Sequence, residues 1–107
     1  MRILFDQGTP VPLRRFLVRH EVTTAYDRGW SRLTNGELLD TAGHERIEVL
    51  VSTDLSLKYQ QNVASRRIAL VVLSTPSWRR IERALATVVH AVDSATPGSY
   101  VEVEIPE

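Results

Sequence analysis

Three acidic residues have the types and spacing of a metal-binding or acid–base site. Asp6 ends the first apolar run of the chain, and Asp54 comes just after a later apolar run. Glu37 follows Thr34 by three residues, which is the spacing of a helix capping box and puts the glutamate in the first turn of a helix. Carboxylates that are brought together repel each other, and a shared proton or a divalent cation relieves that repulsion.

The chemistry of this set depends on which metal it could hold. The chain has no cysteine and no histidines at ligand spacing, so three carboxylates favour Mg²⁺ or Mn²⁺ over zinc. Such ions hydrolyse phosphodiesters by activating water and bridging phosphate oxygens. A purely structural interpretation is also open: Asp6 and Asp54 would cap the helices that follow them, and Glu37 would only close its capping box.

The charge distribution limits how the chain could bind nucleic acid. Its formal net charge is zero, so no overall field attracts RNA or DNA, and a local patch would be required. Of the thirteen basic residues only Lys58 is a lysine, a bias that suits phosphate binding but that a GC-rich genome also produces. The candidates for the patch are four arginines beside two tryptophans that can stack on bases or pack in the core: Arg28, Arg32, Arg79, Arg80, Trp30 and Trp78.

Other residue types give weaker signals. The three histidines are scattered along the chain, which favours surface or loop positions over a metal site. The hydroxyl pairs Ser52–Thr53 and Ser74–Thr75 lack the Gly-x-Ser-x-Gly context of a nucleophile elbow. Capping at strand ends is the better interpretation of both pairs.

The elements that must position these residues follow from apolar runs and breaking residues. Strands are predicted at Arg2–Asp6, Val22–Thr24, Glu48–Asp54, Ile68–Leu73 and Tyr100–Ile105. Helices are predicted after the Pro10–Pro12 turn, after Thr34, over Leu55–Ala64, and from Trp78 to about Ala95, whereas Tyr26–Thr34 is expected to be irregular.

Strands that alternate with helices predict a three-layer α/β/α fold with a mostly parallel sheet of about five strands. Ligands of such sheets bind at the carboxyl ends of the strands. Asp6 and Asp54 are therefore expected at one edge of the sheet, with Glu37 converging on them. The alternating strand Tyr100–Ile105 is expected at a side edge, with its glutamates towards solvent.

Size and composition predict a single domain over residues 1–107. No run approaches the roughly 18 apolar residues that span a bilayer, and the chain has no cysteine for disulfides, so we expect a cytoplasmic protein without a membrane partner. The edge strand and Trp78 leave surface for self-association, which predicts a homodimer.

Four segments in order carry a resemblance to the small PIN-like domains catalogued as a domain of unknown function (DUF5615). Ile3–Pro10 looks like their Leu-Leu-Asp-Glu-Asn-Leu-Pro start, and Arg19–Val22 resembles their Gly-His-Asp-Val. Asn35–Leu39 resembles their Asp-Glu-Glu-Ile-Leu helix, and Val51–Asp54 their Val-Thr-Arg-Asp. The resemblance covers nearly the whole chain and implies a PIN-like fold.

The PIN superfamily is known for Mg²⁺- or Mn²⁺-dependent cleavage of RNA, often as the toxin of a toxin–antitoxin pair. The resemblance therefore implies a ribonuclease in which Asp6, Glu37 and Asp54 are catalytic metal ligands, with single-stranded RNA as substrate and an antitoxin protein as a partner. The chain departs from the pattern at Gln7, which replaces an acid, and at Asn35, which replaces the usual aspartate. Fewer carboxylates imply weaker metal binding.

Two alternatives remain open at this stage. A catalytically degenerate PIN-like module would bind RNA or a protein without cleaving anything, and the departures at Gln7 and Asn35 favour it. A receiver-like phosphoacceptor domain would use an acid after the first strand, Asp54, and Ser74 or Thr75. Such domains place a lysine at the fifth strand, where this chain has Pro97-Gly98-Ser99-Tyr100.

Overall fold

Five parallel strands form one sheet in the order β2-β1-β3-β4-β5. The computed structural model describes residues 1–59 and 66–107. The strands are β1 (Arg2–Phe5), β2 (Glu21–Thr24), β3 (Val49–Ser52), β4 (Ala69–Leu73) and β5 (Tyr100–Val103). The predicted α/β fold with a parallel sheet is confirmed, and each strand lies within its predicted segment or begins one residue earlier.

Burial follows the position of each strand in the sheet. Every residue of β3 and β4 is buried, because both strands have a neighbour on each side and a helical layer on each face. β5 has only one neighbour and alternates at its end: Val103 and Ile105 are buried, whereas Glu102 and Glu104 are exposed. The edge position predicted for this strand is confirmed.

Helical segments connect the strands. They are the 3₁₀ helix Val11–Phe16, α1 (Ala25–Arg28), α2 (Asn35–His44), the 3₁₀ helix Leu55–Tyr59, α3 (Trp78–Arg83) and α4 (Leu85–Asp93). The single helix predicted from Trp78 to about Ala95 is therefore two helices. The chain tightens between them, because the Ala84 amide donates to the carbonyl of Ile81, three residues back.

Three other helix predictions also change. The segment after Pro10 forms a 3₁₀ helix, with Leu13 N–H donating to Pro10 and Leu17 N–H to Arg14. The segment predicted to be irregular contains α1, which the Thr24 hydroxyl caps by accepting from Asp27 N–H. The helix predicted over 55–64 is a 3₁₀ helix over its first five residues, and its remainder lies outside the described residues.

Two apolar layers cover the sheet, one on each face. Ile3 and Phe5 point to one face and pack with α3, α4 and the 3₁₀ helix 11–16. Leu4 points to the other face and packs with α1, α2 and the 3₁₀ helix 55–59. Alternate residues of β1 therefore contribute to both layers, as do those of β3 and β4.

The order of the strands reverses between β1 and β3. The chain leaves β1 towards β2 on one side, whereas β3 and the later strands add on the other side. In open parallel sheets, ligands bind outside the carboxyl ends of the strands at this reversal, which is called the topological switch point. Among the described residues, no helix has the length and apolar character to cross a membrane.

Candidate functional site

Asp6 lies directly after β1 and is held by hydroxyl groups. Its Oδ1 accepts from Thr9 Oγ1 at 2.7 Å, and its Oδ2 accepts a very short hydrogen bond from Ser52 Oγ. Burial raises the pKa of the Asp6 carboxyl above its ordinary value, and the hydrogen bonds from Ser52 and Thr9 offset part of that rise. Asp6 is therefore a partly buried acid in a fixed orientation.

Ser52, the last residue of β3, joins the two strand ends. Its hydroxyl is fully buried, donates to Asp6, and accepts from the backbone N–H of Asp54 at 3.0 Å. One side chain therefore contacts both aspartates that the sequence predicts to be functional. The contact follows from the pairing of β1 with β3, which aligns Phe5 with Val51 and brings the ends of both strands together.

Asp54 is the more exposed of the two acids and has its own donors. Its Oδ1 accepts from the backbone N–H and the hydroxyl of Ser56 at 2.9 and 2.6 Å, and its Oδ2 accepts from Asn35 Nδ2 at 2.8 Å. Hydrogen bonds from Ser56 and then Asn35 lower the pKa of Asp54. Asp54 is therefore an ionised acid at neutral pH, tied to the start of α2.

Glu37 lies in the first turn of α2, two residues after Asn35, but its carboxylate has a local partner. Glu37 Oε1 accepts from Thr34 N–H at 2.9 Å, and the Thr34 hydroxyl accepts from Glu37 N–H at 3.2 Å. This is the predicted capping box. The bond from the Thr34 backbone N–H lowers the pKa of Glu37, so the acid is charged and occupied by the helix end.

The Ser52 hydroxyl therefore contacts the carboxylate of Asp6 and the backbone N–H of Asp54, whereas Glu37 is bonded to Thr34 and to neither aspartate. Over residues 1–59 and 66–107, no three acidic or histidine side chains lie close enough to hold a metal ion together. Mg²⁺ is commonly bound by one or two carboxylates with waters and substrate phosphates. In this structure the Asp6 carboxylate is bonded to Thr9 and Ser52, whereas the Asp54 carboxylate is bonded to Asn35 and Ser56.

The turn after Asp6 is packed closely against the turn after β3. A Cβ added at Gly8 would lie 2.7 Å from the Thr53 hydroxyl. Thr9, in the same turn, is buried, and its hydroxyl lies 2.8 Å from the carbonyl oxygen of Val51 as well as close to Asp6. The sequence pattern did not single out Thr9, because its role depends on a contact with a strand 42 residues away.

Two of the four arginines predicted to bind nucleic acid are engaged within the protein. Arg28 donates to Thr23 and to Glu45 and lies 5.2 Å from the centre of the Trp30 ring.

The second engaged arginine lies after β4. Arg80 donates to the carbonyl oxygens of Ile105 and Pro106 at 3.0 and 3.1 Å. The other two, Arg32 and Arg79, are exposed. The structure thus gives Arg28 and Arg80 stabilising contacts.

The tryptophans and the second hydroxyl pair also have structural contacts. Trp78 packs on one apolar layer, with its ring 5.9 Å from that of Phe16, and Trp30 packs on the other layer. Ser74 Oγ accepts from Ile105 N–H at 2.8 Å, and Thr75 Oγ1 accepts from Ser77 N–H at 3.2 Å. These contacts agree with packing and with strand-end capping.

Cavities open at both ends of the strands within residues 1–59 and 66–107. One of about 270 Å³ opens beside Asp6, and Arg14, Tyr26 and Asp27 contribute to its walls. Neither Arg14 nor Tyr26 was predicted from the sequence to be functional. A larger cavity of about 1090 Å³ opens at the amino ends of β3 and β4, next to Glu48 and Ile68, and none of the three candidate acids lines it.

Comparison with known proteins gives no match to a family model, to a curated protein or to a solved structure.

Proposed function

We propose that this chain is a PIN-like hydrolase that cleaves single-stranded RNA with the help of Mg²⁺ or Mn²⁺, and that Asp6 and Asp54 are its metal ligands. The observation that supports this function is the position of Ser52 at the switch point of the sheet, where its hydroxyl donates to the Asp6 carboxylate and accepts from the backbone N–H of Asp54. Ligand sites of parallel sheets concentrate at this position. Two carboxylates also meet the donor set that Mg²⁺ uses when substrate phosphates complete its shell.

Each residue of the site has a definite part in this proposal. The Ser52 hydroxyl fixes the Asp6 carboxylate, and Asn35 with Ser56 fixes that of Asp54. A bound Mg²⁺ or Mn²⁺ ion would activate water and neutralise charge on the phosphate. Because burial raises the pKa of Asp6, a nearby cation would favour its charged form, so metal affinity should rise with pH over the range in which Asp6 ionises.

A specific observation favours a second candidate, a PIN-like module that has lost catalysis and binds RNA or a protein such as an antitoxin. Glu37 gives its carboxylate to the capping box, and Asn35 satisfies Asp54 with a neutral amide. Both arrangements give the carboxylates hydrogen-bond donors without a cation. In this case Asp6 and Asp54 would stabilise the turns in which they lie, and other residues at the protein surface would bind the RNA or the partner protein.

Calorimetric titration with Mn²⁺ separates the two functions. We expect the parent protein to bind Mn²⁺ with millimolar affinity, and Asp6→Asn and Asp54→Asn each to lower that affinity about tenfold or more. Glu82→Gln is the control, because Glu82 is an exposed acid on α3 outside the site. Cleavage of a labelled single-stranded RNA in Mn²⁺ should be lost in the two aspartate variants and kept in the control.

Two outcomes would contradict the nuclease. One is the absence of any Mn²⁺ heat at millimolar concentration. The other is RNA cleavage that Asp6→Asn and Asp54→Asn leave unchanged, since this would show a contaminating enzyme. RNA binding without metal binding would support the non-catalytic module instead.

A further inference from the structure

The smaller cavity is a cleft that the sheet places next to Asp6. β1 pairs with β2 so that Phe5 aligns with Thr24, and the residues that follow these two strands therefore lie side by side. Asp6 follows β1, whereas Tyr26 and Asp27 belong to α1, which begins directly after β2. The cleft between them has a volume of about 270 Å³. At roughly 30 Å³ per water molecule, that is space for about nine waters.

Tyr26 offers an aromatic surface in this cleft. Its side chain is 79% exposed, although its neighbour Ala25 is buried at 1%. An aromatic ring that is so exposed adds little to the core of its own protein, and its face remains available to another planar group. Val11, which is 49% exposed, adds an apolar wall to the same cleft.

Arg14 offers a positive charge to the same cleft from the 3₁₀ helix 11–16. Its Nη1 atom lies 3.6 Å from Asp27 Oδ2, which is longer than a good hydrogen bond, and its side chain is 44% exposed. Exposed ion pairs of this kind contribute little to stability. The guanidinium group therefore keeps N–H groups that can bind a phosphate in a fork-like arrangement.

We propose that this cleft is the subsite for one nucleotide of single-stranded RNA, in which Tyr26 stacks on the base and Arg14 binds the adjoining phosphate. The assignment deepens the proposed function, on which it rests, because the bound nucleotide would bring its backbone next to Asp6. An unpaired base exposes the face that can stack on Tyr26, whereas the bases of a duplex are already stacked on their neighbours. Stacking on an aromatic ring tolerates every base, so binding should show little sequence preference.

The charge of the cleft gives the proposal a further consequence. Asp6 and Asp27 bring two negative charges against the one positive charge of Arg14. Asp27 therefore competes with phosphate for the guanidinium group and also repels it. Removing the charge of Asp27 should strengthen RNA binding, which an unrelated surface substitution would not do.

The test is the anisotropy of a fluorescently labelled single-stranded RNA, titrated in EDTA so that binding is measured without cleavage. We expect Tyr26→Ala to weaken binding about tenfold or more, and Tyr26→Phe to restore it, because the ring is what stacks. Arg14→Ala should weaken binding several-fold, and Asp27→Asn should strengthen it.

Matched controls come from the chain itself. Tyr59→Ala removes a tyrosine that is 77% exposed but lies outside the cleft, and Arg15→Ala removes the neighbouring arginine with the same change in charge. An oligonucleotide that lacks its bases should bind the parent protein and Tyr26→Ala equally well. Thermal melts check that each variant folds.

RNA affinity that falls equally in the controls and in the cleft variants would overturn the assignment, as would a parent protein that does not bind RNA. The assignment and the nuclease can fail separately. If the protein binds no Mn²⁺ but binds RNA in a way that depends on Tyr26, the nuclease is contradicted and the nucleotide subsite is supported. If the protein cleaves RNA with Mn²⁺ and neither Tyr26→Ala nor Arg14→Ala changes RNA binding or cleavage, the subsite is contradicted and the nuclease is supported.

Discussion

At the scale of single residues, the two aspartates have opposite electrostatic environments although one hydroxyl connects them. Burial dominates at Asp6 and raises its pKa, whereas hydrogen bonds from Ser56 and Asn35 dominate at Asp54 and lower its pKa. Two acids whose pKa values are driven apart in this way can do different work at one pH. They should also respond differently to the same substitution.

We expect Asp6→Asn to leave the metal-free protein at least as stable as the parent at pH 7, because it removes a charge that burial disfavours. Asp54→Asn should lower stability by about 0.5–1 kcal/mol, because hydrogen bonds to a charged acceptor are stronger than those to a neutral one and the site is partly open to water. Thermal melts of the three proteins at pH 7 measure both changes.

The pH dependence follows from the directions of the two shifts. The folded-state pKa of Asp6 lies above 3.8, so its ionisation costs stability at neutral pH, and that cost disappears as pH falls to about 3.8. The folded-state pKa of Asp54 lies below 3.8, so its contribution is present above that pH and is lost as pH falls further. An Asp6→Asn protein that is less stable than the parent at pH 7 would contradict this account.

At the scale of elements, α2 starts with a capping box that serves two purposes. Thr34 and Glu37 satisfy each other's backbone N–H groups, and the helix start that they fix carries Asn35, which binds Asp54. The start of α2 is thereby coupled to the candidate site. A loss of the cap should affect both the stability of the helix and the position of Asn35 beside Asp54.

We expect Thr34→Ala to lower stability by about 1 kcal/mol, because the Glu37 N–H loses its acceptor. Glu37→Gln should change stability little, since glutamine can also accept from Thr34 N–H in a capping box. Urea unfolding measures the first change and tests the second. Mn²⁺ titration of Glu37→Gln then separates the roles: unchanged affinity fits a helix cap, whereas a loss like that of Asp6→Asn would make Glu37 a ligand.

The limits of prediction from sequence also become clear at the element scale. Short apolar runs that end in polar residues predicted all five strands, and Thr34 and Ser77 correctly signalled helix starts. The helix predicted after Pro10 is a 3₁₀ helix, and the short α1 was missed, because the periodicity of four to six residues does not distinguish these forms. The contact of Ser52 with Asp6 joins residues 46 positions apart and depends on strand pairing, so the sequence could place both acids at one edge without revealing the hydroxyl between them.

At the scale of the whole molecule, the sheet has two side edges, β2 and β5. Parallel sheets with unpaired side edges can extend by pairing with another chain. β5 carries Val101, which is 38% exposed, and a chain with zero net charge offers little overall repulsion between copies. From these features we predict a two-fold dimer in which two β5 strands pair in antiparallel fashion.

We expect light scattering to give about twice the monomer mass of 12.1 kDa at micromolar concentration. Val101→Lys should shift the protein to the monomer mass, because charged side chains on an edge strand oppose edge-to-edge pairing. Val18→Lys is the matched control, since Val18 is 83% exposed but lies outside the strands. The monomer mass at every accessible concentration of the parent would rule out the dimer.

The pairing of β1 with β3 has a consequence for the folding of the chain. β1 comes first in sequence, yet its pairing with β3 requires residues about 46 positions later, as in the pairing of Ile3 with Val49. At a synthesis rate of about 5–20 residues per second, the apolar segment Ile3–Phe5 waits roughly 2–9 s for that partner. A sheet built from such distant pairs has a high contact order, which predicts slow folding relative to helical proteins of this size. The nascent chain should therefore depend on chaperones most strongly before β3 has been made.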